Sequence, residues 1–228
     1  MPQITHLLFD LDGTLTDPKE GIIASFVYAL DRLGRSDLTP ATMDWCIGPP
    51  LRESFARLLD TADPDLIERA VSLFREYFAT TGLFENFVYP EIVETLELLR
   101  KNFRLVIATS KPAIYARQIL EKFELSGYFE AVYGAELDGR NTNKAELIAF
   151  ILEREQLLPG QVIMIGDREH DILGAKKNSV IAGGVTYGYG SAAELTEAGA
   201  TFLFHNPLQI PATLATLLNR PTLEAGSK

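Results

Sequence analysis

The stretch Ile4-Thr5-His6-Leu7-Leu8-Phe9-Asp10-Leu11-Asp12-Gly13-Thr14 decides the fold. A short, nearly continuous apolar run stops abruptly at two carboxylates, a glycine and a threonine, which is how a strand buried on both faces of a parallel sheet gives way to a polar loop. The pattern recurs. Phe103 to Ala108 ends in Thr109-Ser110-Lys111-Pro112, Val162 to Ile165 ends in Gly166-Asp167, and Val180 to Val185 runs into a turn rich in Gly and Tyr. Phe129 to Tyr133 and Thr201 to Phe204 are two further candidate strands.

Helical periodicity fills the gaps between these runs, at Glu91 to Lys101, Ala113 to Phe123 and Ala145 to Glu155. Strands alternating with helices predict a doubly wound α/β domain with a parallel, Rossmann-like sheet. Residues 16–87 break the alternation, reading as helix after helix with no strand. Ile22, Ile23, Phe26, Val27, Leu30 and Leu33 share one helical face before Gly34; Pro49-Pro50 opens a second helix and Pro64 a third, running to about Thr81. The expected organisation is an α/β core of residues 1–15 and 88–228 carrying an inserted helical cap of residues 16–87. The tail Glu224–Lys228 reads as frayed, and internal repeats are absent from the sequence.

Bulk properties exclude several classes. A chain of 228 residues, 46% hydrophobic and 23% charged, has the composition of an ordinary globular protein able to bury a core. No apolar run approaches the roughly 18–20 residues of a membrane span, and the first residues lack the pattern of a secretory signal, so the expected location is cytoplasmic, with no membrane partner. Cys46 is the single cysteine, so no internal disulfide forms; its expected role is as a small buried residue. A net charge of −10 without a basic run opposes binding to a nucleic-acid polymer, yet leaves room for a small anionic substrate at a locally positive site. Monomer and homodimer both remain open.

Ligands of open α/β sheets collect at the carboxyl ends of the strands. Asp10, Asp12, Thr109, Ser110, Asp167 and Asp171 should therefore converge, joined by Lys144 at a helix start. Crowded carboxylates raise one another's pKa unless a cation intervenes, and an all-oxygen donor set favours magnesium. Beside such an ion Asp10 is placed to attack a phosphate, Thr109 and Lys144 to hold it, and Asp12 to protonate the departing alkoxide and later deprotonate water. The predicted activity is hydrolysis of a small phosphorylated metabolite through an aspartyl phosphate.

Asp10-Leu11-Asp12-Gly13-Thr14-Leu15, Val106-Ile107-Ala108-Thr109, Lys144 and Gly166-Asp167-Arg168-Glu169-His170-Asp171 resemble, in order and separation, the four motifs of the haloacid dehalogenase superfamily. The resemblance spans nearly the whole chain. It implies that Asp10 is the nucleophile, Asp12 the acid/base, and Thr109 and Lys144 phosphate ligands. It implies further that Asp167 binds magnesium with Asp10 and the Asp12 carbonyl, while Asp171 orients metal-bound water. The insertion is like that family's α-helical cap, and Ile47-Gly48-Pro49-Pro50-Leu51 is similar to a segment of phosphoglycolate-phosphatase-like and 5′-nucleotidase-like members. By that similarity a phosphoglycolate-like substrate is expected first, with nucleoside 5′-monophosphates as the alternative.

Plainer expectations attach to other residues. Ser110 offers a backbone amide to phosphate, and Lys111 is either a second phosphate contact or an exposed charge. Arg52 either reaches an anionic substrate from the cap or sits exposed on its helix. Trp45 and Met43 read as cap packing, and His6 and His205 as core or edge residues. His170 is not needed as a metal ligand, and the pairs Gly183-Gly184 and Gly188/Gly190 read as loop geometry without a dinucleotide fingerprint. Two rival activities share these residues: a receiver domain that stores phosphate on aspartate, for which Asp12 would be counterproductive, and a sugar-phosphate mutase. A dehalogenase needs neither Asp12 nor magnesium.

Overall fold

A computed structural model describes residues 3–35 and 39–218, so the tail Glu224–Lys228 lies outside the described residues. In chain order the elements are β1 (His6–Phe9), β2 (Thr16–Asp17), α1 (Lys19–Arg32), α2 (Leu51–Leu59), α3 (Pro64–Thr80), β3 (Phe87–Val88), α4 (Ile92–Leu99), β4 (Arg104–Pro112), α5 (Ala113–Lys122), β5 (Ala131–Ala135), α6 (Lys144–Arg154), β6 (Val162–Gly166), α7 (Glu169–Lys177), β7 (Ile181–Val185), α8 (Ala192–Ala198), β8 (Phe202–Phe204) and α9 (Gln209–Leu218). Six strands form one parallel sheet in the order β5-β4-β1-β6-β7-β8. The first strand is thus central. Leu8 lies opposite Val106 on one side and Met164 on the other, and the switch in strand order beside β1 is where ligands of such sheets bind.

The period-2 geometry of a strand divides the core into two layers. Leu8, Val106 and Met164 face one way, against Leu147, Ile148 and Ile151 of α6 and Ile172 of α7. Leu7, Phe9, Leu105, Ile107, Ile163 and Ile165 face the other, where Leu96 of α4, Ile119 of α5 and Ile210 of α9 cover them. Burial on both faces is why these strands read as continuous apolar runs.

The helical stretch packs around Phe26 of α1, whose ring centroid lies 4.9 Å from that of Phe55 on α2 and 4.9 Å from that of Phe74 on α3. Helix starts and stops follow the local chemistry. Asp63 accepts a hydrogen bond from Asp65 N at 3.0 Å ahead of Pro64, while Gly34 and Asp60 take left-handed conformations after α1 and α2. Trp45 carries the Arg57 guanidinium 3.9 Å from its ring centroid, and Met43 is buried.

Three expectations need correction. Residues 16–87 do contain strand: β2 and β3 pair antiparallel, Thr16 with Val88 and Asp17 with Phe87, too short for any alternation to show. The second long strand does not end at Ala108 but continues to Pro112. Its register against β5 shifts between Thr109, opposite Gly134, and Pro112, opposite Ala135, so Ser110 and Lys111 form a bulge. Gly183 and Gly184 lie in β7 rather than in a loop, where a Cβ on Gly183 would come within 2.7 Å of the Phe204 ring.

Candidate active site at the carboxyl rim

Each candidate side chain is delivered by the end of an element. Asp10 follows β1 directly, its amide donating to Ile165 O at 2.9 Å, and the chain then coils tightly, with Leu11 O accepting from Leu15 N and Thr16 N. The coil needs Gly13 at φ +83°, and a Cβ there would lie 2.2 Å from Asp167 Oδ2. Thr109 stands at the start of the β4 bulge, its Oγ1 accepting from Lys111 N at 3.2 Å. Lys144 is the first residue of α6, set there by the cap of Asn143, whose Oδ1 accepts from Ala145 N and Glu146 N. Asp167 follows β6, and Asp171 sits in the first turn of α7, where its Oδ2 accepts from Arg168 N at 3.1 Å.

These residues meet. Lys144 Nζ lies 3.0 Å from Asp10 Oδ1 and 2.8 Å from Asp171 Oδ1, and donates to Ala108 O at 2.9 Å. One oxygen each from Asp10, Asp167 and Asp171 lies within 4.8 Å of the other two. The Lys111 ammonium, buried, pairs with Asp12; of the two readings open for Lys111, an exposed charge is therefore excluded. Ser110 Oγ donates to Thr142 O at 3.0 Å, so its hydroxyl is engaged by the loop before α6. Arg52 pairs with Glu68, its Nη2 lying 3.1 Å from Oε2, and also lines the cavity described below. His170 is exposed and outside the carboxylate group; His6 is buried in the sheet, and His205 is exposed just beyond edge strand β8.

Electrostatics at the rim are strained in a way that an added cation relieves. Burial raises the Asp167 carboxyl well above its ordinary value, and Asp171 and Asp10 push it further, against the Tyr189 amide. Burial raises Asp171 also, with Lys144 opposing, and raises Asp12 against its pair with Lys111. Lys144 is pulled down by burial but raised on balance by Asp10 and Asp171, so it stays an ammonium. In formal charge, with every group ionised, four carboxylates against two contacting ammoniums leave a surplus of two negative charges, which a divalent cation would balance. Asp12 Oδ1 is buried without a hydrogen-bond partner. An all-oxygen set with that surplus fits a hard ion such as magnesium. Cys46, by contrast, is an inert thiol, pushed up to about 12 by burial.

Some functional contacts escaped sequence reasoning. Tyr189 N donates to Asp167 Oδ2 at 2.9 Å, Tyr187 OH donates to Thr14 O at 3.0 Å, and Tyr189 OH donates to Asp17 of β2. The turn after β7 thereby fixes both Asp167 and the coil after β1. Backbone donors leave no residue-type signature; the one usable signal was the Gly/Tyr-rich composition of that turn. Arg168, inside the fourth motif, pairs with Glu194 at 2.9 Å and donates to Ile47 O at 2.8 Å, so the rim is tied to the helical stretch.

A cavity of about 350 Å³ opens between the rim and the helices. The rim contributes Asp10, Asp12, Thr109, Lys111 and Lys144 to its lining, and Ile22, Leu51, Phe74, Arg75, Phe78 and Tyr115 are among the other residues that line it, with Glu53 and Glu136. Among the described residues no helix is long and apolar enough to cross a membrane.

Residues 7–185 match the family model described as haloacid dehalogenase-like hydrolase. A 5′-nucleotidase of Pseudomonas aeruginosa is 45% identical, over 96% of this chain and 96% of its own length. The tyrosine-protein kinase PtkA of Mycobacterium tuberculosis is 34% identical over 90% of this chain and 69% of its own, and a phosphoglycolate phosphatase of Vibrio cholerae is 29% identical over 89% and 93%. Among solved structures, a predicted phosphatase from Clostridium acetobutylicum superposes with a TM-score of 0.89 at 39% identity, covering 94% of this chain and all of that one.

Proposed function

Because the chain belongs to the haloacid dehalogenase-like hydrolase family, as one of its phosphatases, we propose that the rim carboxylates run a magnesium-dependent hydrolysis of phosphomonoesters through Asp10. The observation that carries this reading is the convergence of Asp10, Asp167 and Asp171 around Lys144, with a surplus of two negative charges. Asp10, Asp167 and the main-chain carbonyl of Asp12 would hold the ion, with Asp171 beside them. When bound, the ion neutralises the carboxylates and polarises a phosphoryl oxygen.

The chain's own groups account for the remaining steps. Thr109 and Lys144 orient the phosphoryl group, with the backbone of the Ser110 bulge beside them. An Asp10 oxygen attacks phosphorus, the ester P–O bond breaks, and the Asp12 proton passes to the departing alkoxide. Water then attacks the acyl phosphate, Asp12 takes its proton, and inorganic phosphate leaves with the Asp10 carboxylate restored. Burial that raises Asp12 favours the protonated form that the first step needs. The helical stretch of residues 16–87 acts as a cap that excludes bulk water.

Nucleoside 5′-monophosphates are the first substrates to try, supported by the 45% identical 5′-nucleotidase, with phosphoglycolate next. The test is phosphate release over nucleoside 5′-monophosphates, phosphoglycolate and sugar phosphates, with and without chelator. Release from none of them, or release indifferent to chelation, ends the proposal; isomerisation of a sugar 1-phosphate without release points to the mutase instead.

A further inference from the structure

The cavity beneath the helices is lined by residues of the rim and by residues outside it. At the rim every cation has a carboxylate: Lys111 pairs with Asp12, Lys144 with Asp10 and Asp171, and Arg168 with Glu194. Among the helices Arg52 is taken up by Glu68. Arg75, on α3, is different. Its Nε is buried with no hydrogen-bond partner, and its Nη2 reaches only the Leu137 carbonyl, at 3.5 Å, the far limit of such a bond. Glu68 lies near enough to feel its charge but forms its ion pair with Arg52. A buried guanidinium N–H left without an acceptor is a standing cost that an incoming acceptor removes.

The surroundings say what kind of group brings that acceptor. Phe74 directly precedes Arg75 on α3 and Phe78 follows it by three positions, while Tyr115 meets Phe78 edge-on with ring centroids 5.5 Å apart. All four line the cavity, so aromatic rings share its wall with the guanidinium. A volume of about 350 Å³ falls at the lower end of the roughly 300–1,000 Å³ of drug-sized ligand sites and exceeds what a two-carbon phosphoester fills. A flat ring with oxygen or nitrogen acceptors on its edge satisfies wall and guanidinium together, as bases do when they lie against aromatic side chains and accept from arginine.

Resting on the phosphomonoesterase reading, we propose that Arg75 is a specificity-determining residue that donates to an acceptor on the base of a nucleoside 5′-monophosphate, with the base against Phe74, Phe78 and Tyr115. Arg75 acts on the leaving group and takes no part in the proton transfers.

The experiment compares kcat/KM for guanosine 5′-monophosphate with that for ribose 5-phosphate, in which an anomeric hydroxyl replaces the base, in the wild type, Arg75→Met and Arg75→Lys. Arg75→Met keeps the side-chain stem but no donor. It should lower the nucleotide-to-sugar ratio by about tenfold, chiefly through KM, and Arg75→Lys should recover part of the loss. A ratio unmoved within about twofold, an equal fall for both substrates, or no preference in the wild type overturns the proposal. If Arg75→Met does not fold, Arg75→Lys carries the comparison with a smaller fall in the same direction. Should the wild type release phosphate from neither compound, nor from any other phosphomonoester of the set above, the phosphomonoesterase reading fails. Calorimetric binding of guanosine 5′-monophosphate with magnesium then decides on Arg75: about tenfold weaker binding to the variant sustains its role, and equal or undetectable binding overturns it.

Discussion

The rim of the sheet and the helical stretch above it are held by opposite means. At the rim, Asp10, Asp12, Asp167 and Asp171 are packed together with the ammoniums of Lys111 and Lys144. In the helices, Phe26, Phe55, Phe74 and Phe78 are packed ring against ring, and burial alone suffices. Charges so arranged are a poor source of stability, since desolvation offsets their attraction. Aromatic burial is a good source of stability and a poor source of chemistry. Replacing the rim nucleophile should therefore stop turnover at little cost in stability, replacing a ring among the helices should do the reverse, and removing a paired rim ammonium should do both.

Asp10→Asn offers the largest test. It should lower kcat by at least about a thousandfold, some 4 kcal/mol of barrier, while the circular dichroism melt stays near that of the wild type. A comparable rate in a clean preparation removes the covalent route. Phe26→Ala should do the reverse, costing about 3–5 kcal/mol in denaturant unfolding with far less effect on kcat per folded molecule. If its kcat falls as far as that of Asp10→Asn, the division between the two regions is wrong. Lys144→Met sharpens the comparison from the other side. It leaves buried Asp171 beside partly buried Asp10 with no ammonium between them, so it should lose both turnover and about 3 kcal/mol of stability measured in chelator.

A smaller effect follows from charge linkage. Asp167 titrates in the folded chain above its value of 3.8 in the unfolded one, so its contribution to stability is fully present below that value and lost as pH rises through the folded one. A bound cation cancels that loss. The rise in melting temperature on adding magnesium should therefore be greater at about pH 8 than at about pH 5, and an equal rise at both would place the ion elsewhere. The smallest expected effect is that of Arg168→Gln, which removes both the bond to Ile47 O and the pair with Glu194: about 1–2 kcal/mol, with the loss of the Ile47 bond read as faster proteolysis within residues 39–50.

How much of this was legible in the sequence follows the same division. Asp10, Thr109 and Asp167 could be found because each interrupts an apolar run, and Lys144 because it begins a helix between such runs. The sheet was legible because strands buried on both faces leave uninterrupted apolar text. The two-residue strands β2 and β3 were not, since two residues carry no period. Lys111 was ambiguous because nothing local indicates that a bulge turns it toward Asp12, a residue 99 positions away. Arg75 had no signal at all: its meaning lies in an acceptor it lacks, which only packing reveals.

The β2–β3 ribbon has a mechanical and historical consequence. Thr16 and Val88 are partners across an antiparallel pair, so the chain leaves for the helices and returns at points about 5 Å apart. To the sheet, residues 18–86 are a detour that ends where it began, a gap that a two-residue Asn-Gly hairpin turn could close. The ribbon's pairing, Thr16 with Val88 and Asp17 with Phe87, does not run through that detour. Such a junction lets the inserted helices vary in length and sequence while the carboxylates of the rim keep their places on the sheet.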